Sequence, residues 1–132
     1  MSESEQSDAG PGSLLAGITV LVVEDTWPVA QAIKAMLEQL GMHVIGPAAT
    51  VSAARELVNT QNPMLALVDV NLKRETATSL IDELHQQDIP IVIVSAYEMP
   101  PVAMNKTAAF LQKPFLTKEL VTTLLPIARR LR

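Results

Sequence analysis

The chain has 132 residues, a formal net charge of −4, no cysteine and an aromatic content of only 3%. This length suits one domain with a hydrophobic core, and the acidic balance gives no general attraction to nucleic acid or anionic lipid. The lack of cysteine excludes disulfides and thiolate metal sites and agrees with a reducing compartment. We find no signal-peptide pattern and no bilayer-length apolar segment, so we expect a cytoplasmic protein without membrane contact.

Residues 1–13 differ in composition from the rest of the chain. They are acidic and serine-rich, and Met1 and Ala9 are their only apolar side chains. Such a segment buries too little surface to offset the entropy of ordering it. We therefore predict a flexible acidic tail over residues 1–13 and one folded domain over residues 14–132.

Short apolar runs then alternate with helical patterns along the folded part. The predicted strands cover residues 18–23, 43–46, 64–68, 90–94 and 108–112. Helices are expected after each of the first three strands and after the fifth, the first beginning near Pro28 and ending at Gly41 as a left-handed cap. Thr117 is expected to cap the last helix. β-Branched runs of this kind are typical of buried parallel strands.

The element order predicts a flavodoxin-like (βα)5 sandwich around a five-stranded parallel sheet. Two segments fit this pattern poorly. Pro126 falls inside the last helix, where we expect a kink or an early end. The stretch between Ser95 and Lys113 is short and contains Met99-Pro100-Pro101. The fourth helix, between the fourth and fifth strands, is therefore expected to be short or remodelled.

Polar residues stand where four of the strands stop, and they predict a site. The residues are Glu24-Asp25, Asp69, Ser95 and Lys113-Pro114. The carboxyl ends of parallel strands share one edge of the sheet, so these side chains are expected to converge. Clustered carboxylates repel one another unless a cation lies between them, and an all-oxygen set favours a hard ion such as Mg²⁺. Lys113 and Ser95 would complete a cradle for a phosphoryl group, with Asp69 as a nucleophile that forms an acyl phosphate.

From about Leu14 to the C-terminus, the chain resembles a response-regulator receiver domain of two-component signalling. That family places an acidic pair after the first strand, an Asp after the third, a Thr or Ser after the fourth and a Lys-Pro after the fifth. The matching residues here are Glu24-Asp25, Asp69, Ser95-Ala96 and Lys113-Pro114.

The resemblance implies roles for these residues. Mg²⁺ would be held by Asp25, Asp69 and the backbone carbonyl of Asn71, and Glu24 would act through a metal-bound water.

It also implies that Asp69 accepts a phosphoryl group from a histidine kinase. Lys113 would pair with that group, Ser95 would move to hydrogen-bond it, and Phe110 would be the switch aromatic.

We therefore expect a single-domain response regulator that is not an enzyme beyond self-catalysed phosphorylation and dephosphorylation. Its partners would be a histidine kinase or phosphotransfer protein and an unknown downstream protein, with no direct nucleic-acid contact. Two features depart from the family pattern. Glu24 stands where Asp is more usual, and the segment before Lys113 resembles that of stand-alone receivers with a reduced fourth helix.

Three other classes of protein fit the sequence less well. A haloacid-dehalogenase-like hydrolase would carry an Asp-x-Asp pair on its first strand, whereas Asp69-Val70-Asn71 follows the third and lacks the second Asp. A degenerate receiver that binds partners without phosphate is disfavoured by the retained Asp69, Ser95 and Lys113. A dinucleotide-binding enzyme is disfavoured because no G-x-G-x-x-G motif is present.

Two further segments are interpreted locally. We expect Trp27 to be a partly exposed loop residue near the site, and Lys73-Arg74-Glu75 to form a solvated loop.

Overall fold

The predicted strands assemble into a parallel sheet in the computed structural model, which describes residues 14–96 and 104–131. In chain order the strands are β1 (Thr19–Val23), β2 (His43–Ala48), β3 (Leu65–Asp69), β4 (Asn71–Leu72), β5 (Glu75–Thr76), β6 (Ile91–Ser95) and β7 (Ala109–Gln112). Five of them form the sheet, in the spatial order β2-β1-β3-β6-β7, and all neighbours are parallel. The short strands β4 and β5 form a separate antiparallel hairpin.

Helices cover both faces of this sheet. They are α1 (Trp27–Gln39), α2 (Val51–Gln61), α3 (Thr78–Gln86) and α4 (Thr117–Leu131). Helices α1 and α4 contribute to one apolar cluster and α2 and α3 to the other, with alternate strand residues supplying each. Because both faces are covered, β3 and β6 are buried along their whole length. The flavodoxin-like α/β fold predicted from the sequence is confirmed.

The connection from β6 to β7 carries the smallest helical element. Its described part contains a single turn of 3-10 helix, Met104–Lys106. This agrees with a short or remodelled fourth helix. Residues 97–103, including Met99-Pro100-Pro101, lie outside the described residues, as does the predicted tail over 1–13.

Three element bounds lie at or near a glycine or a proline, and one of them agrees with the prediction while two differ from it. Gly41 has a φ of 84° and ends α1 as predicted. Strand β2 extends past Gly46 to Ala48, and it tolerates Pro47 because an edge strand has one side without ladder partners. Helix α4 runs through Pro126 to Leu131, so of the kink or early end expected there, the early end is wrong.

The start of α4 also differs from the prediction that Thr117 caps it. Thr117 is the first helical residue, and the backbone N–H of Leu116 donates to Glu119 Oε1 at 2.7 Å. This is the reciprocal half of a capping box, with the acid three residues into the helix. Among the described residues, no helix is both long and apolar enough to cross a bilayer.

Candidate functional site

The carboxyl edge of the sheet gathers the polar residues that the sequence analysis singled out. Glu24 directly follows β1, Asp69 is the last residue of β3, Ser95 is the last residue of β6 and Lys113 directly follows β7. Neighbouring strands hold Asp69 opposite Val94 and Ser95 opposite Gln112, which brings the strand ends level. Glu24, Asp69 and Ser95 are the buried polar residues of the described chain. Burial of such groups is costly unless they have partners.

Lys113 bridges the two buried carboxylates. Its Nζ lies 3.0 Å from Glu24 Oε1 and 3.2 Å from Asp69 Oδ2, and its side chain is 20% exposed. The other oxygen of Glu24, Oε2, accepts a hydrogen bond from the backbone N–H of Thr26 at 3.2 Å. The backbone N–H of Asn71 donates to Asp69 Oδ1 at 3.0 Å. Each buried carboxylate is thus anchored by Lys113 on one oxygen and by a backbone donor on the other.

The cluster contains two buried carboxylates and one ammonium, so its positive charge does not balance its negative charge. Burial and the neighbouring charge of Asp69 raise the pKa of Glu24, although Lys113 and the Thr26 N–H oppose the rise. Burial lowers the pKa of Lys113, but its hydrogen bond to Glu24 and the attraction of Asp69 outweigh burial, so the net shift is upward. One ammonium is therefore shared between two carboxylates, and an additional cation would be stabilised beside Glu24 and Asp69.

A hard cation fits the donor set. Glu24, Asp25 and Asp69 each offer a carboxylate oxygen, and these oxygens lie within 4.8 Å of one another. All are hard oxygen donors, and Asp25 is more exposed than the other two, which leaves room for the waters that Mg²⁺ retains. Asn71 lies two residues beyond Asp69 and is exposed, and its backbone N–H donates to Asp69 Oδ1, so Asn71 lies beside the same cluster.

Ser95 lies on β6 and Phe110 on β7, the two strands that follow β3 in the order of the sheet. The Ser95 side chain is buried, and its carbonyl accepts a hydrogen bond from the Lys113 N–H at 2.7 Å. This bond ties the end of β6 to the residue that bridges the carboxylates. Phe110 is half-buried and packs against the cluster beneath α2 and α3.

The sequence analysis missed the β4–β5 hairpin. Lys73, Arg74 and Glu75 are exposed, as expected of a solvated loop, but they belong to a paired hairpin in contact with the site. The backbone N–H of Lys73 donates to Asp25 Oδ2. Lys73-Arg74 carries none of the Asn-Gly or Asp-Gly chemistry that marks a tight hairpin in a sequence, so no local signal was present.

A model of the response regulator receiver domain matches residues 20–125. The chain belongs to the response regulator receiver domain family. The response regulator protein GraR of Staphylococcus epidermidis is 32% identical over 116 residues, which cover 84% of this chain and 51% of that protein. The phosphate regulon transcriptional regulatory protein PhoB of Escherichia coli is 32% identical over 120 residues, which cover 85% of this chain and 52% of that protein. This receiver chain thus spans about half the length of these curated relatives.

Solved structures show the same fold. A CheY-like receiver domain protein from Methanospirillum hungatei superposes with a TM-score of 0.75 at 20% identity, over 88% of this chain and 97% of that one. The response regulator PhyR from Brucella abortus superposes with a TM-score of 0.71 at 24% identity, over 97% of this chain and 54% of that one. Family membership removes the hydrolase alternative, in agreement with Asp69 at the end of β3 rather than β1.

Trp27 provides a test of the metal site. It is the only tryptophan of the receiver chain, it is 71% exposed, and it lies two residues from Asp25 at the start of α1. We expect Mg²⁺ to change its fluorescence with saturable, roughly millimolar affinity, because Mg²⁺ takes few protein ligands and keeps several waters. Asp25→Ala should weaken the response. A flat titration together with silent calorimetry would contradict the metal assignment.

Proposed function

We propose that this receiver domain accepts a phosphoryl group on Asp69, in a Mg²⁺-dependent reaction, from a histidine kinase or phosphotransfer protein. The observation that supports it most is the Lys113 ammonium, held between the buried carboxylates of Glu24 and Asp69. A lysine in that place neutralises charge at the carboxylate that would receive the phosphoryl group. Phosphoryl transfer depends on such positioning and neutralisation more than on covalent chemistry by the protein.

The proposed step follows from the contacts of Asp69. One of its carboxylate oxygens attacks the phosphorus, the bond from phosphorus to the imidazole nitrogen of the donor breaks, and that nitrogen keeps the electron pair. The product is an acyl phosphate. Lys113, already 3.2 Å from Asp69 Oδ2, would pair with the new phosphoryl oxygens. Ser95 would supply its hydroxyl as a hydrogen-bond donor to one of them.

Mg²⁺, when bound by Asp25, Asp69 and the Asn71 carbonyl, with Glu24 acting through a water, would supply further positive charge beside the phosphoryl group. The clustering of three carboxylate oxygens within 4.8 Å supports this ligand set. The all-oxygen chemistry of the set suits Mg²⁺ better than a softer metal.

We propose signalling by phosphorylation-dependent binding of a downstream protein or by phosphate relay, without direct contact with nucleic acid or membrane. Cytoplasmic localisation and the absence of an enzymatic output belong to the same proposal. They are supported by the lack of cysteine and by the family, whose domain is a signalling module.

The test is direct. The chain is incubated with a small-molecule acyl phosphate and Mg²⁺, and intact mass spectrometry is expected to find one phosphoryl adduct, which peptide mapping places on the peptide with Asp69. Chelation of the metal with EDTA should prevent the adduct. If no adduct forms with Mg²⁺ present, the chain is a degenerate receiver that binds partners without phosphate.

Phosphorylation should also shift the conformation of the β6–β7 connection. The phosphoryl group adds charge beside Lys113 and acceptors for Ser95, which favours conformations that bring both close. We expect the largest change in amide hydrogen exchange between Ser95 and Lys113, including Phe110, and little change in α1. A response confined to α1 would place the output surface elsewhere.

A further inference from the structure

The β4–β5 hairpin is attached to the site and to helix α2 at separate points. At one end the Asn71 N–H donates to Asp69 Oδ1, and at the turn the Lys73 N–H donates to Asp25 Oδ2. At the other end Glu75 Oε2 accepts a hydrogen bond of 2.9 Å from the backbone N–H of Val51. The hairpin therefore connects two carboxylates of the site to the start of α2.

The contact of Glu75 is long-range and independent of the helix's own cap. Val51 is the first residue of α2, whose first-turn N–H groups have no partner within the helix. Thr50 satisfies a different donor, because its side chain accepts from the Ala53 N–H at 3.1 Å. Glu75 thus anchors the hairpin to α2 without replacing the local cap.

Within the hairpin, Glu75 lies across from the residue that precedes Lys73. Glu75 pairs with Leu72 across the two strands, and Leu72 is 7% exposed in the apolar core. Lys73 is the residue next to Leu72, so the strand pairing and the Val51 contact together hold its N–H at Asp25. Asp25 is only half-buried, and no other described hydrogen bond restrains its side chain.

We infer that Glu75 is a positioning residue for the metal site: it holds the hairpin so that the Lys73 N–H orients the Asp25 carboxylate. The inference rests on the proposed function, because it takes Asp25 as a Mg²⁺ ligand. Groups that orient a metal ligand through a hydrogen bond commonly change metal affinity by roughly 10- to 100-fold when removed. Since Glu75 acts through a hairpin rather than directly, we expect the lower end of that range.

The experiment measures Mg²⁺ affinity by isothermal titration calorimetry on the wild type and three variants. Glu75→Ala removes the acceptor, and the Kd for Mg²⁺ should rise by about tenfold. Glu75→Gln keeps an acceptor for the Val51 N–H and loses only the charge, so its Kd should stay near that of the wild type. Thr50→Ala is the matched control, because it removes one cap hydrogen bond from the same helix end and leaves the hydrogen bonds of the hairpin in place.

Amide hydrogen exchange supplies a second measurement that does not depend on metal. In metal-free Glu75→Ala, the amides of Val51 and Lys73 should both exchange faster than in the wild type, because both lose restraint. In Thr50→Ala, the Ala53 amide should exchange faster while the Lys73 amide does not change.

The outcomes separate this inference from the proposed function. If the wild type binds Mg²⁺ and Glu75→Ala binds it equally well, the positioning role is wrong and the phosphorylation site stands. If Glu75→Gln is as weak as Glu75→Ala, or if Thr50→Ala weakens binding equally, the effect comes from charge or from helix stability, and the inference is overturned. If the wild type itself binds no Mg²⁺, the metal part of the proposed function fails, and this inference fails with it.

Discussion

Asp69→Asn is expected to abolish the phosphoryl adduct completely. The substitution keeps the size of the side chain and an acceptor for the Asn71 N–H, which donates to Asp69 Oδ1 in the wild type. It removes the carboxylate, and a carboxamide oxygen is too weak a nucleophile to form the acyl phosphate. The measurement is intact mass spectrometry after incubation with an acyl phosphate and Mg²⁺.

Asp88→Asn provides the control for this prediction. Asp88 is an exposed aspartate between α3 and β6, at the edge of the sheet opposite the site. That variant should form the adduct to the wild-type extent. An adduct that persists in Asp69→Asn would mean that another side chain is the acceptor.

In the metal-free protein, Lys113→Ala is expected to lower the free energy of unfolding more than the loss of a surface ion pair such as Lys106–Asp82. The substitution leaves Glu24, which is 2% exposed, and Asp69, which is 6% exposed, without their shared counterion. Removal of one partner of a buried pair costs about 3–5 kcal/mol. We expect about 2–3 kcal/mol, because the Lys113 side chain is partly exposed and Glu24 can take up a proton instead of remaining charged.

The loss should depend on pH in a defined direction. The pKa of Glu24 is already raised above its ordinary value of 4.5, by burial and by Asp69, and removal of the ammonium raises it further. Between the unfolded and the folded pKa, the folded state keeps a proton that the unfolded state releases, so stability falls as pH rises. The deficit of Lys113→Ala should therefore be larger at about pH 7.5 than at about pH 5.

Chemical denaturation in EDTA at both pH values measures this deficit, and Lys106→Ala is the matched control. Lys106 pairs with Asp82 at 2.7 Å, but both side chains are more than a third exposed, so its loss should cost less than about 1 kcal/mol. Added Mg²⁺ should stabilise Lys113→Ala more than the wild type, because the competing ammonium is gone. Equal deficits in the two lysine variants would show that Lys113 does not compensate the buried carboxylates.

The sequence alone predicted the sheet, because the information is local. Five short apolar runs bounded by turn residues account for β1, β2, β3, β6 and β7 to within two residues at every end. Because β3 and β6 are buried along their whole length, each is a near-continuous apolar run rather than an alternating one. Because parallel strands share a carboxyl edge, the same pattern also predicts that the polar residues at the strand ends lie together.

Contacts between segments distant in the sequence could not be predicted in this way. Lys113 bonds to Glu24 across 89 residues and to Asp69 across 44, and the sequence predicted their proximity but not that one ammonium would bridge both acids. The continuation of α4 through Pro126 also depends on contacts with segments distant in the sequence. Leu120, Leu124 and Ile127 are buried in the core, and tertiary packing of that face outweighs the local cost of a proline.

The sequence by itself determined the family, the strand order along the chain and the identity of the residues at the carboxyl edge, because periodicity and strand-end chemistry are readable from neighbouring residues. Only the tertiary structure decided the β4–β5 hairpin and its contact with α2. Residues 73–76 carry no turn signature, and Glu75 meets Val51 across 24 residues of chain. Such a contact depends on how the whole sheet places two loops side by side, and no local pattern encodes that placement.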